Sequence, residues 1–112
     1  MKSLRVWKCL AVLTLVAVPS IALAVSWFGK NVGQLQSTFI GSDCFYFTLA
    51  GVTEADPVKP GSPWFAIQRS QFGSKDAYAM LLAAKLSGQT VYVSTNGSLT
   101  CGYVTAVEVI MQ

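Results

Sequence analysis

One stretch carries helix signals at both ends, and nearly everything around it reads as strand. Residues 75–87 run for thirteen positions between Ser74, whose hydroxyl suits an N-cap, and Gly88, which supplies a left-handed stop. Asp76 puts a negative charge in the first turn and Lys85 a positive one in the last, and the helix dipole favours both. A lone helix among strands must lie against the sheet they form, because nothing else can cover it. The chain therefore reads as mainly β with one helix.

The strands are marked by alternation and by turn residues. From Cys44 the side chains alternate Phe45, Phe47, Leu49 against Tyr46 and Thr48, so both faces are largely apolar. Such a strand is buried on both sides or covered by another subunit. Residues 53–63 hold three prolines, Gly61, Glu54 and Asp56, and read as a surface loop, either a functional tip or a plain connector. Trp64–Gln68 is a strand with Trp64, Ala66 and Gln68 on one face and Phe65 and Ile67 on the other. Another is expected over 90–95, a hairpin turn at Asn96-Gly97, and a last strand from Val104. A first strand is expected over 34–40. Asn96-Gly97-Ser98 also matches a glycosylation sequon, which the turn explains. Five strands with the helix after the third is the order of an OB-fold barrel.

The beginning of the chain has a different character. Lys2, Arg5 and Lys8 precede the apolar run 9–18, Pro19 and Ser20 break it, and Ala22-Leu23-Ala24 offers small residues for cleavage. This predicts a secretory signal peptide over 1–24 and a secreted or periplasmic bacterial domain over 25–112. Cys9 stands at the start of the apolar run and not just after it, which argues against a lipoprotein, and the run is short for a membrane span. Removing those residues leaves five charges of each sign, so a basic nucleic-acid footprint is absent. Ten charges on so small and apolar a domain leave surplus apolar surface, which favours self-association or a partner.

Export also leaves two cysteines, Cys44 and Cys101, and an oxidising compartment predicts that they pair. With no CxxC spacing and no His, a redox or metal-binding role for them has little support, and no cofactor is implied. The lack of His, of a carboxylate pair and of a phosphate-cradling glycine motif argues for binding over catalysis. Trp27, Phe28, Tyr46, Trp64, Tyr92 and Tyr103, with Asp43, Gln68, Arg69, Ser70 and Asn96, combine flat apolar faces with hydrogen-bonding groups, which sugars require. Core packing competes for each of these rings. On the helix, Tyr78, Leu81, Leu82 and Leu86 form an apolar stripe. The other flank, Ala77, Met80, Ala83, Ala84 and Ser87, is small and uncharged, and is expected to face a second copy or to sink into the chain's own core.

The order of these elements resembles the B subunits of AB5 toxins, most closely the subtilase cytotoxin B subunit-like proteins. The likeness rests on Cys44-Phe45-Tyr46-Phe47, on a proline-preceded strand leading into one helix, and on Ser87-Gly88-Gln89-Thr90-Val91. It implies an OB-fold, a homopentamer, binding of cell-surface glycan, a role in virulence and association with an enzymatic A subunit. Trp27-Phe28 looks like the family's aromatic pair, and Gly29 stands where the family has a sialic-acid-binding serine. The other reading is a stand-alone envelope domain that binds protein and no sugar.

Overall fold

The computed structural model of the protein describes residues 24–37 and 41–112. The leader read over 1–24, apart from Ala24, lies outside the described residues, as does the second half of the strand expected over 34–40. The described chain runs β1 (Ser26–Lys30), β2 (Val32–Gln36), β3 (Cys44–Leu49), β4 (Trp64–Gln68), α1 (Ser74–Ser87), β5 (Val91–Thr100) and β6 (Tyr103–Met111). The fold is mainly β with one helix. It has six strands instead of five, and the helix follows the fourth, because the first extended stretch starts earlier than expected and is divided. Gly29 sits at φ 62°, the register of β1 against β5 shifts between Trp27 and Lys30, and Asn31 alone separates β1 from β2.

The strands pair in the order β1-β5-β6-β4-β3-β2, all antiparallel except β4 with β6. β1 and β2 thus lie at opposite ends of the order although they are consecutive in sequence. A single apolar cluster collects Val32, Phe45, Phe47, Phe65, Val91, Val93, Val104 and Leu81, with Trp27 and Leu35 packed against it. Every strand and the helix contribute to it. Phe47 and Phe65 are register partners whose rings stack at 4.9 Å. β2 can approach β3 closely because position 33 has no side chain. A Cβ on Gly33 would meet Thr48 Oγ1 at 2.7 Å, where that hydroxyl instead accepts from the Gln34 N–H at 2.8 Å.

β3 is buried on both faces by its own chain. Phe45, Phe47 and Leu49 enter the main core, while Cys44 and Tyr46 join Ala66 under Trp64 and Tyr103 in a second, smaller cluster. Tyr46 meets Tyr103 edge-on at 5.5 Å, and the Lys59 ammonium lies 5.2 Å above the Tyr103 ring.

The helix ends where Gly88 takes φ 74°, as its sequence predicts. Its start differs from expectation. Ser74 is the first helical residue and does not cap. Gly73, at φ 84°, makes the turn into the helix, and the buried Ser74 hydroxyl donates to the Arg69 carbonyl at 2.6 Å. The far end is held by Asn31, whose side-chain amide donates to the Gly88 carbonyl at 2.9 Å, satisfying one of the carbonyls a helix leaves open.

The helix is also rotated relative to the stripe read from sequence. Ser74, Leu81 and Ala84 are buried and Ala77 and Tyr78 pack on the core, whereas Leu82 is 39 % and Leu86 79 % exposed. Small side chains at 77 and 84 let the helix backbone come close to the sheet. Of the flank expected to face a second copy, Ala84 and Ala77 are therefore taken by the chain's own core and Met80 is half-buried, leaving Ala83 and Ser87 exposed.

The hairpin expected at Asn96-Gly97 is not a hairpin. β5 runs through those residues, and the chain turns at Cys101-Gly102, where φ is 49° and 84°. Two consecutive residues with positive φ make the two-residue turn whose twist suits a hairpin. Asn96-Gly97-Ser98 instead forms a bulge within β5, between the pairs Thr95↔Ala106 and Leu99↔Val104. Asn96 Oδ1 accepts from the Ser98 N–H at 3.0 Å and from its hydroxyl at 2.7 Å, which stabilises the extra loop of backbone.

Cys44 and Cys101 are joined by a disulfide that links the tip of the β5–β6 hairpin to the start of β3, across 57 positions of sequence. Cross-linking a loop of that length restricts the unfolded chain by about 4 kcal/mol in the loop-entropy account. Replacing both cysteines by serine is expected to lower unfolding stability by most of that amount in a urea titration, with wild type under reductant falling to the same midpoint.

Candidate functional site

The aromatic residues proposed for ligand contact separate into those the core uses and those it leaves open. Trp27 faces inward against the core, and its indole N–H donates to the Ala55 carbonyl at 2.9 Å. Tyr46 is 2 % exposed. Trp64 and Tyr103 cover the second cluster. These four hold the fold together and present little ring face to solvent. Phe28 is the exception: it is 66 % exposed and stands one residue from Trp27 on the opposite face of β1.

β5 completes an open patch around Phe28. The Tyr92 ring lies 4.7 Å from Phe28, tilted by 47°, and its hydroxyl shares a 3.2 Å hydrogen bond with the Ser26 hydroxyl. The register partner of Tyr92 is Ile110, itself 46 % exposed, and one step along the pair Ser94 donates to Glu108 Oε1 at 3.3 Å. Gly29 borders the patch, its N–H donating to Gln112 Oε1 at 2.8 Å. Ser26, Ser94, Glu108 and Ile110 were not singled out from sequence. Their alternation with Val93, Thr95 and Val109 was the signal that they share the outward face with Tyr92.

Asp43, Gln68, Arg69 and Ser70 gather elsewhere, where β3 begins and β4 ends. The Arg69 N–H donates to the Asp43 carbonyl at 2.7 Å, and Cys44 pairs with Gln68. All four are exposed. Arg69 and Lys75 border a hollow of about 240 Å³ with Phe45, Ser74 and Tyr78, while the Arg69 guanidinium also donates to the Ser37 carbonyl. The proposed ligand residues therefore do not form one site: Phe28 and Gly29 belong to the β1–β5 face, and the other four to the β3–β4 end.

A larger cleft, about 260 Å³, opens between the start of α1 and β6, bordered by Gln68, Gln71, Phe72, Asn96, Thr105 and Glu108. Two breaks in the β5–β6 ladder flank it. One is the Asn96–Ser98 bulge; the other is Val107, the extra residue between the pairs Thr95↔Ala106 and Ser94↔Glu108. Bulges of this kind re-aim side chains at the rim of a sheet. Phe72, entirely exposed, stands beside the cleft. An aromatic residue in the polar turn before the helix was the one cue to this place in the sequence.

The 53–63 loop is more than a surface connector. Val52, Ala55 and Asp56 are buried, with Asp56 only 2 % exposed. Asp56 Oδ2 accepts from the Thr95 hydroxyl at 2.6 Å and Oδ1 from the Val58 N–H at 2.8 Å. The carboxylate thus pins the loop to β5. Among the described residues neither cleft is lined by Asp43, Glu54 or Asp56, and no group of three or more His, Cys, Asp or Glu is placed to hold a metal ion.

Comparison with protein families, with curated proteins and with solved structures finds no match to this chain.

Asp56→Ala is expected to destabilise the protein by roughly 1–3 kcal/mol, the usual cost when a buried hydrogen-bond partner is removed. Hydrogen exchange should rise at Val58 and Thr95 before it rises elsewhere. Unchanged protection at both amides would mean that the loop is held by its apolar residues alone.

Proposed function

We propose that this chain is an exported carbohydrate-binding domain, of the OB-fold barrel type, that associates with copies of itself. The observation that carries the sugar reading is the exposed Phe28–Tyr92 pair, bordered by the hydroxyls of Ser26 and Ser94 and by the Glu108 carboxylate. Aromatic faces stack on the C–H faces of a sugar ring, and hydroxyl and carboxylate groups beside them take its hydroxyls. An aromatic pair held open to solvent on a rigid sheet loses little entropy when a ligand lands on it.

Strand order supports the barrel. Taking 26–36 as one bent strand makes β1 and β2 the two halves of a single element that borders β5 on one side and β3 on the other. The order then becomes cyclic, with five strands and the helix after the third. The core supports it too. A flat six-stranded sheet spans about 24 Å across its strands, and a helix covers about 10 Å. Residues from both ends of the order share one cluster with Leu81, in keeping with a curled sheet.

Self-association rests on the outer side of the helix. Ala79, Leu82, Ala83 and Leu86, all exposed, make an uncharged ridge at helical spacing. A second copy of the chain is the occupant proposed for this ridge, in keeping with the ring implied by the toxin B-subunit resemblance. The same ridge favours a second reading, a protein-interaction domain of the cell envelope with no sugar ligand.

Two measurements separate these readings. On a glycan array Phe28→Ala is expected to weaken binding roughly tenfold, about the 1.4 kcal/mol of one lost stacking partner, with an unchanged melting temperature. An array silent for the wild type would remove the sugar reading. In sedimentation, the double variant Leu82→Glu, Leu86→Glu is expected to become monomeric, and a wild type already monomeric at high micromolar concentration would remove the ring.

A further inference from the structure

The cleft between α1 and the β5–β6 bulges is a second candidate surface, which meets the Phe28–Tyr92 patch at Glu108. Its polar border is built almost wholly from groups that both donate and accept: the amides of Gln68, Gln71 and Asn96 and the hydroxyl of Thr105. Among the described residues that line it there is one carboxylate, Glu108, and no Lys or Arg. Buried Ile67 and Ala106 line it as well, so the polar groups border an apolar interior. Phe72 stands entirely in solvent at its edge, an aromatic face with no packing role in the fold.

These features select a ligand class. Each sugar hydroxyl donates one hydrogen bond and accepts others, which side-chain amides match better than charged groups do. The apolar interior and Phe72 suit the C–H face of a ring. The volume, about 260 Å³, falls just under the roughly 300 Å³ at the low end of drug-sized pockets, so one ring fits and a long oligosaccharide does not. A lone carboxylate without a balancing cation attracts an ammonium group and repels an acid. We propose that this cleft binds a single neutral or amine-bearing pyranose, prefers the amino sugar through Glu108, and rejects uronic and other acidic sugars.

The site is built into the backbone. The Asn96–Ser98 bulge and the extra residue at Val107 break the ladder on both strands at the same place, and the cleft lies against them. The two breaks shift the register from Ser94↔Glu108 to Leu99↔Val104, and Asn96 and Glu108 both border the cleft beside them. Asn96 additionally fixes its own bulge through Ser98, so the position of the amide is set before a ligand arrives.

The proposal rests on the reading above that the protein binds sugars, and Glu108 borders both surfaces, but Phe28 belongs only to the first and Phe72 only to the cleft, so variants at these two rings make the sites fail separately. The purified protein is titrated with glucose, glucosamine and glucuronate, which share one ring and differ in charge, and backbone amide shifts are followed by NMR. Glucosamine is expected to bind at least threefold more tightly than glucose, with shifts at Gln71, Phe72 and Asn96, and glucuronate to leave those amides unmoved. Glu108→Gln should abolish the preference for the amine while glucose binding stays. Phe72→Ala, at a fully exposed position that cannot disturb the fold, should weaken both ligands roughly tenfold, and Phe28→Ala should leave cleft shifts unchanged. Equal shifts with glucuronate, or no shifts at these amides with any of the three, overturns the proposal. Loss of cleft binding in Phe28→Ala alone would assign the effect to the β1–β5 face instead.

Discussion

One helix of fourteen residues has to cover a core to which six strands contribute, and most other features follow from that shortage. Both ends of the strand order, through Trp27 and Val32, contribute to the same cluster. The chain breaks between β1 and β2 where the backbone can take it, at Gly29 and Asn31, and Asn31 then holds the end of the helix through the Gly88 carbonyl. Strand geometry and helix position are thus tied at one residue. The absence of a side chain at position 33 serves the same end by letting β2 close against β3.

What the helix does not cover, other devices do. The first part of the 53–63 loop turns inward, with Ala55 receiving the Trp27 indole N–H and Asp56 bonded to Thr95. The outer face of β3, which would otherwise expose Cys44 and Tyr46, lies under Trp64 and Tyr103 beside the disulfide. Among the described residues no buried side-chain nitrogen or oxygen lacks a hydrogen-bond partner. The small core is therefore supplemented by a plug on one side and an aromatic cover on the other.

Local signals were legible in the sequence where the local and the tertiary preference agree. The bounds of Trp64–Gln68, the stop at Gly88, the two apolar faces of β3 and the pairing of Cys44 with Cys101 all follow from alternation, φ preference and cysteine number. Elsewhere the tertiary demand prevailed. Asn96-Gly97 satisfies a hairpin turn, but a bulge requires the same positive φ, and only the partner strand decides between them. The rotation of α1 was hidden because leucine hydrophobicity outweighs alanine in any periodicity, while close approach to a curved sheet prefers alanine. Ser74 looked like a cap, yet Gly73 already made the turn and the hydroxyl was needed at Arg69. The candidate sites were less legible than the fold, because both depend on residues far apart in the chain: Phe28 beside Tyr92, and Phe72 with Glu108 on the border of one cleft.

The inward turn of the proline-rich loop also bears on how the protein can be rebuilt. A long polar segment with several prolines is where an engineer would ordinarily graft an epitope or cut the chain for circular permutation. Thr53 and Glu54 are exposed but lead directly into buried Ala55 and Asp56, so Pro57, Val58, Pro60 and Gly61 are the outward positions suited to such surgery. A graft two residues earlier would withdraw Asp56 from β5 and leave the Trp27 indole without its acceptor, so the tolerant stretch is a few residues wide on a loop that looks permissive throughout.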